Sequence, residues 1–229
     1  MIYFPDNSDF KKCELLNDYK KEIYNKTRFY LKEKSKDIIV YYHGNASSAC
    51  ENGYMKDVFE KTNYSVMFVE FSGYANDDKE ANIKNILNDV ENINKYLVEN
   101  KYNKIIVFGR SLGTGPASYQ ANIGKVDKLI LVSPFTSFLE LTKSKYPIFP
   151  ISILLTEKYD SQMWLKDYKN DLLIIHGTSD EVIPYSFGEK LYNSLDNKNK
   201  EFFTIKGKGH NDLDDDKSFD EKILDFINK

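Results

Sequence analysis

In the stretch "VFGRSLGTGPA", Ser111 stands between Gly109 and Gly113, directly after an apolar run. A serine so placed either caps a helix or is a nucleophile presented on a tight turn. A hydroxyl is a poor nucleophile without a base, and the chain has three histidines, His43, His176 and His210. His43 and His176 each end an apolar run before a glycine, a place that suits scaffolding. His210 lies in "GKGHND", after the last run and before the final helical pattern. In an α/β sheet the order of a serine triad is Ser, acid, His. Only His210 leaves room for a suitable acid after Ser111. Asp180 in "IIHGTSDEVIP" is the expected acid, with Glu181 and Asp160 as competitors. Asp212 and the run Asp214 to Asp216 follow the histidine and are expected to cap the final helix.

Such a set would perform acyl transfer. Ser111 would attack a carbonyl, His210 would take and return the proton, and Asp180 would hold the imidazole in the right tautomer. The oxyanion needs two backbone N–H donors. Leu112, after the serine, is one; in "HGNASS" Asn45 is the best second candidate and Ala46 the next. Gly44 would let that backbone turn. Gly109 and Gly113 are expected where a side chain would collide with neighbouring elements.

Parallel strands must position these residues. The near-continuous apolar runs "IIVYYHG", "YSVMFVEF", "KIIVFG", "KLILVSP", "DLLIIHG" and "EFFTIKG" have the length and content of strands buried on both faces. Between them, "KEANIKNILNDVENINKYLVEN" sets Ile83, Ile86, Leu87, Val90, Ile93 and Leu97 on one helical face. "SFGEKLYNSL" and "SFDEKILDFINK" read as shorter amphipathic helices. "TRFYLKEK" (27–34) alternates as an antiparallel edge strand would. Strand and helix in alternation predict a mostly parallel, doubly wound α/β sheet with helices on both faces. Its active crevice should lie beyond the carboxyl ends of the strands.

A length of 229 residues suits a single domain, residues 1–229. The composition, 41% hydrophobic and 29% charged, is that of a soluble globular chain. A formal charge of −3 without a basic run disfavours a nucleic-acid partner. The longest apolar stretch, "YPIFPISILL", is too short to span a bilayer. The N-terminus lacks the basic and apolar regions of a signal peptide. Cys13 and Cys50 are expected as free thiols in a reducing, cytoplasmic setting, with a single disulfide between them as the less favoured alternative. No zinc-protease spacing occurs, and neither a metal nor another cofactor is expected.

Together, "YYHGNASS", "FGRSLGTGPA", "LVSPFTSF", "IIHGTSDEVIP" and "GKGHNDL" resemble the α/β-hydrolase superfamily, in its branch of Bem46-like and lysophospholipase-like serine hydrolases. The resemblance runs from about Ile38 to the end of the chain. It implies the α/β-hydrolase fold, a triad of Ser111, Asp180 and His210, and an oxyanion hole from the backbone of Asn45 and Leu112. Two departures stand out. Where members of the branch read close to "YRGYGxS", this chain reads "FSGYAND", with Ser72 in place of arginine and Ala75 in place of glycine. The N-terminal part is also shorter than usual, with no evident anchor.

Lids of this superfamily are inserted where this chain has a short cap, about 138–170. It is rich in apolar side chains, among them Phe138, Leu141, Tyr146, Ile148, Phe149, Ile151, Leu154, Leu155 and Trp164. Part must be core; part could line a pocket for an acyl chain. The expected activity is hydrolysis of carboxylic esters or thioesters of short to medium acyl chains through an acyl-enzyme. The expected partner is a small-molecule or acylated substrate. An amidase or aminopeptidase with the same triad, or a non-catalytic binding module on a hydrolase scaffold, are the alternatives.

Overall fold

The strands run in chain order as β1 (Lys20–Tyr24), β2 (Thr27–Lys32), β3 (Ile38–Tyr42), β4 (Ser65–Glu70), β5 (Ile105–Arg110), β6 (Lys128–Val132), β7 (Asp171–Gly177) and β8 (Lys200–Ile205). They form one sheet in the order β1-β2-β4-β3-β5-β6-β7-β8. The six apolar runs are the parallel strands β3 to β8, and β1 and β2 join them antiparallel. The computed structural model describes residues 3–6, 8–145 and 158–229.

Side chains alternate across the strands and build two cores. Val40, Tyr42, Val107, Leu131 and Ile174 face one side. Tyr41, Phe108, Ile130, Val132 and Ile175 face the other. Helix α1 (Lys56–Phe59) lies on the second face, and α2 (Ile83–Glu99) covers the first with Ile86, Val90, Ile93 and Leu97. Each of those side chains contributes about 1.5–3 kcal/mol by leaving water. The α2 helix begins at Ile83 because the Asn82 side chain accepts from the Asn85 N–H. Helices α3 (Thr114–Ile123), α4 (Phe138–Lys145), α5 (Ser161–Leu165) and α6 (Tyr185–Ser194) follow, and α7 (Lys217–Asn228) closes the second face with Phe219, Ile223, Phe226 and Ile227.

In register, Tyr42 pairs with Gly109, Arg110 with Val132, and Gly177 with Ile205. The parallel strands therefore end along one edge, and residues 43–46, 110–112, 178–180 and 206–210 all emerge there. In the cap, α4 and α5 are present, whereas the apolar positions Tyr146, Ile148, Phe149, Ile151, Leu154 and Leu155 lie outside the described residues. Tyr159, Trp164 and Leu165 belong to the first core, so this part of the cap is packing.

Two expectations need correction. The strand at 27–34 is antiparallel but does not form the edge, because β1 pairs outside it through a tight hairpin. The turn residues Asn25 and Lys26 both have positive φ, 48° and 68°, as a two-residue hairpin of this hand requires. Without a glycine there, and with the exposed, charged "KKEIY" as the strand, the sequence carries little signal. Cys13 and Cys50 are not free thiols: they form a disulfide. Phe10 and Cys13 dock into the second core, against which Cys50 also packs. A separation of 37 residues hides that meeting from the sequence, and a reducing compartment no longer follows from the cysteines.

Closing a loop of this length is worth about 3–4 kcal/mol in chain entropy. We predict that Cys50→Ser lowers the unfolding free energy by about that amount in denaturant titrations. We also predict that the unreduced, denatured chain titrates no thiol. Two reactive thiols in the unreduced protein would overturn the pairing.

Candidate active site

Ser111 sits where β5 ends and a 3-10 turn, Ser111–Gly113, leads into α3. Its φ is +55°, a left-handed conformation that costs a side chain with a β-carbon about 1–2 kcal/mol. Close packing holds it there. A Cβ at Gly109 would stand 2.5 Å from the Gly113 carbonyl oxygen and 2.8 Å from the Ala117 Cβ. One at Gly113 would stand 2.2 Å from the Tyr42 oxygen and 2.6 Å from that of His43. Both glycines are there so that α3 can lie against β5 and the end of β3.

The three candidate side chains meet in one hydrogen-bonded chain. His210 Nε2 lies 2.8 Å from Ser111 Oγ, and His210 Nδ1 lies 2.8 Å from Asp180 Oδ2. A carboxylate only accepts, so Nδ1 carries the proton and the neutral ring presents Nε2 as acceptor to the hydroxyl. Asp180 and His210 are each only 7% exposed. Burial works against ionisation of Asp180, but hydrogen bonds from His176 and His210, the charge that His210 carries when protonated and the Ile183 N–H outweigh it. Its carboxyl is held well below the usual range. Asp180 Oδ1 accepts from the N–H groups of Val182 and Ile183, at 2.9 and 2.7 Å.

The competing acids are elsewhere. Asp160 caps α5 through the Met163 N–H. His210 bonds Asp180 rather than Glu181, whose Oε2 lies against Gly209. His176 is fully buried, its Nε2 3.3 Å from Asp180 Oδ2 and 2.9 Å from the Ile183 oxygen. It approaches the same carboxylate oxygen as His210, a partnership that the spacing of His176 and Asp180 alone does not reveal.

Arg110, immediately before Ser111, ties the histidine loop to β5. Its guanidinium donates to the His210 carbonyl oxygen at 3.3 Å, to Asp214 Oδ1 at 3.1 Å and to the Tyr54 hydroxyl. Burial pushes the Tyr54 phenol up to about 12, with Arg110 opposing and Asp214 reinforcing the shift, so it is neutral at pH 7. The acidic run divides its work. Asp216 caps α7, Asp214 pairs with Arg110, and Asp212 accepts from the Gly209 N–H.

On the other side of Ser111, a Cβ at Gly44 would lie 3.5 Å from the Ser111 Cβ, so the loop after β3 passes close beside it. The Asn45 side-chain oxygen accepts from the Phe4 and Ala46 N–H groups and the Tyr74 hydroxyl, at 2.9, 3.0 and 2.6 Å. That engages the N–H of Ala46, the second-ranked oxyanion donor. His43 is fully buried, its Nε2 3.2 Å from Glu70 Oε1, while Glu70 Oε2 accepts from the Ala49 N–H. The loop is thus braced from β4.

No protein-family profile matches the chain. It is 30% identical over 199 residues to uncharacterized protein R595 of Acanthamoeba polyphaga mimivirus, covering 76% of this chain and 67% of that protein. Alpha/beta hydrolase domain-containing protein 17B of Xenopus laevis is 25% identical over 206 residues, covering 84% of this chain and 67% of that protein. The solved structure of the esterase PF2001 from Pyrococcus furiosus superposes with a TM-score of 0.76 at 17% identity, covering 99% of this chain and 96% of that one. The chain belongs to the α/β-hydrolase superfamily. Among the described residues of this hydrolase fold, no helix is long and apolar enough to cross a membrane.

The two departures in "FSGYAND" have structural counterparts. Ser72 donates to the buried Asp89. Arg28 of β2 grips the loop, donating to the carbonyl oxygens of Phe71, Tyr74 and Ala75. Ala75 has φ +46°, so the position still asks for the conformation that glycine takes freely.

Two predictions follow from this packing and charge. Gly113→Ala should lower activity at least a hundredfold and stability by about 1–3 kcal/mol, measured by turnover and chemical denaturation; near-wild-type values would contradict the close approach. Because the Asp180 pKa is depressed on folding, its stabilisation is complete above the unfolded value of about 3.9 and fades as pH falls below it. Asp180→Asn should therefore show a shallower loss of stability between pH 4 and 2, at about those values. Parallel pH–stability curves for the two proteins would count against it.

Proposed function

We propose that the chain is a serine hydrolase cleaving carboxylic esters or thioesters of short to medium acyl chains. The observation that carries this reading is the continuous chain Ser111 Oγ–His210 Nε2 and His210 Nδ1–Asp180, both links at 2.8 Å, on a serine with φ +55°. His210 Nε2 takes the hydroxyl proton as Ser111 Oγ bonds to the carbonyl carbon. The backbone N–H groups of Leu112 and Asn45 receive the oxyanion. The imidazolium, stabilised by ionised Asp180, returns the proton to the departing alcohol or thiol. Water then repeats the sequence on the acyl-enzyme, releasing the acid and regenerating Ser111.

The five motifs support membership of the Bem46-like, lysophospholipase-like branch within the superfamily. The names of similar proteins support the ester-hydrolysis reading instead: besides the Pyrococcus esterase, Est1E from Butyrivibrio proteoclasticus, solved with ferulic acid, superposes with a TM-score of 0.73 at 17% identity over 92% of this chain and all of that one. A single hydrolase domain over 1–229 with a short cap at about 138–170 belongs to the same proposal. A cytoplasmic location does too, and the Cys13–Cys50 disulfide counts against it.

A fluorophosphonate probe should label the wild type and leave Ser111→Ala unlabelled; equal labelling would remove Ser111 as nucleophile. With p-nitrophenyl esters and acyl thioesters of graded length, Asp180→Asn should reduce kcat by about 10³–10⁴. Unchanged turnover would move the acid elsewhere. Faster cleavage of aminoacyl anilides than of esters would replace the esterase reading with an amidase.

A further inference from the structure

The surroundings of Ser111 differ between the two faces of the sheet. On the first face, Leu112 shares a core with Phe135 and Tyr159, and Phe138 packs against it. The rings of Phe135, Phe138 and Tyr159 lie 5.5–6.3 Å apart. On the second face a cavity of about 270 Å³ opens beside Ser111 and His210. Its wall includes Glu51, Asn52, Tyr54, Arg110, Asn211 and Asp214, with no aliphatic side chain among them. At roughly 20–30 Å³ per heavy atom it admits a group of about ten such atoms.

The charges of this wall do not cancel. Arg110 is paired with Asp214 at 3.1 Å, which leaves Glu51. Among the described residues, Glu51 has no lysine or arginine within ion-pair distance; its Oε2 accepts only from the Ser48 N–H, at 3.3 Å. The Asn52 amide is spent on Tyr41, Ser47 and Ser48. An alkyl group entering here would strip water from Glu51, Tyr54 and the Arg110–Asp214 pair without replacing its hydrogen bonds. A hydroxylated group would replace them, a cationic one would be held by the Glu51 charge, and an anionic one would be repelled by it.

We propose that this cavity is the leaving-group subsite, that it selects a hydrophilic leaving group carrying positive charge, and that Glu51 is the residue that determines the preference. The proposal rests on the serine-hydrolase reading. His210 Nε2 must protonate the leaving oxygen or sulfur, and His210 and Asn211 form part of this wall. The leaving group therefore exits on the polar side and the acyl chain lies toward the aromatic side.

The test is a pair of butyryl esters of equal shape, one of 2-(trimethylammonio)ethanol and one of 3,3-dimethylbutan-1-ol, hydrolysed at low ionic strength. At a partly exposed site one charge–charge contact is worth about threefold to fivefold. The wild type should favour the cationic ester in kcat/KM by that factor, and E51Q should bring the ratio to about one. Added salt should also shrink the wild-type ratio. A wild-type ratio at or below one, or a preference that E51Q leaves intact, overturns the subsite. So does a larger effect when the charge is moved to the acyl half. Failure to cleave either ester while the fluorophosphonate still labels Ser111 also counts against the subsite. Absence of labelling as well would sink the hydrolase reading.

Discussion

The site depends on one steric constraint, the close approach of the turn after β5 to the carbonyl oxygens of Tyr42 and His43. Gly113 fits there because it has no side chain. The approach keeps Ser111 at φ +55°, and the rest of the sheet supplies the rigidity that sustains this strain. If the turn relaxed, the Ser111 hydroxyl would lose its 2.8 Å contact with His210. The two buried cores on either side of β5 are thus coupled to the position of a single oxygen atom.

Electrostatics adds a second layer. Asp180 is buried yet ionised, because two histidines and two backbone N–H groups compensate the loss of water. Arg110 acts on the same assembly from the serine side. It joins the last residue of β5 to the carbonyl oxygen of His210 and to Asp214, so the irregular loop 206–212 is tied to the strand that presents Ser111. The Tyr42 end of β3 is treated alike: His43 and Glu70 brace the loop that carries Asn45, and Tyr74 holds the Asn45 side chain. Each loop of the site is therefore anchored by a buried polar contact to a strand or to a neighbouring loop.

The proposed asymmetry around Ser111 follows from sheet geometry. Alternation along β5 and its neighbours sends successive side chains to opposite faces. The elements beyond the strand ends inherit that division, with the cap aromatics on one face and the segment after β3 with the segment after β8 on the other. In this proposal a packed aromatic cluster, in part from the cap, and a polar cavity then flank one nucleophile.

Much of this was legible in the sequence. Apolar runs of strand length, rich in branched and aromatic residues and stopped by glycine, mark strands buried on both faces. Ser111 between two glycines, and the order of Ser111, Asp180 and His210 along the chain, were readable because each follows a strand end, where local chemistry and chain order carry the signal. What depended on distant segments was not readable. The Cys13–Cys50 bond, the grip of Arg28 on the loop at 71–75, the tie from Arg110 to His210 and the polar cavity bounded by Glu51 all join residues far apart in the chain, whereas the outer strand β1 is local but its hairpin carries no glycine to mark it. Sequence by itself determined the elements and the candidate chemical groups, since periodicity and turn chemistry are local. Tertiary structure alone decided which groups touch, because the distances between loops are set by how the strands stack in the sheet.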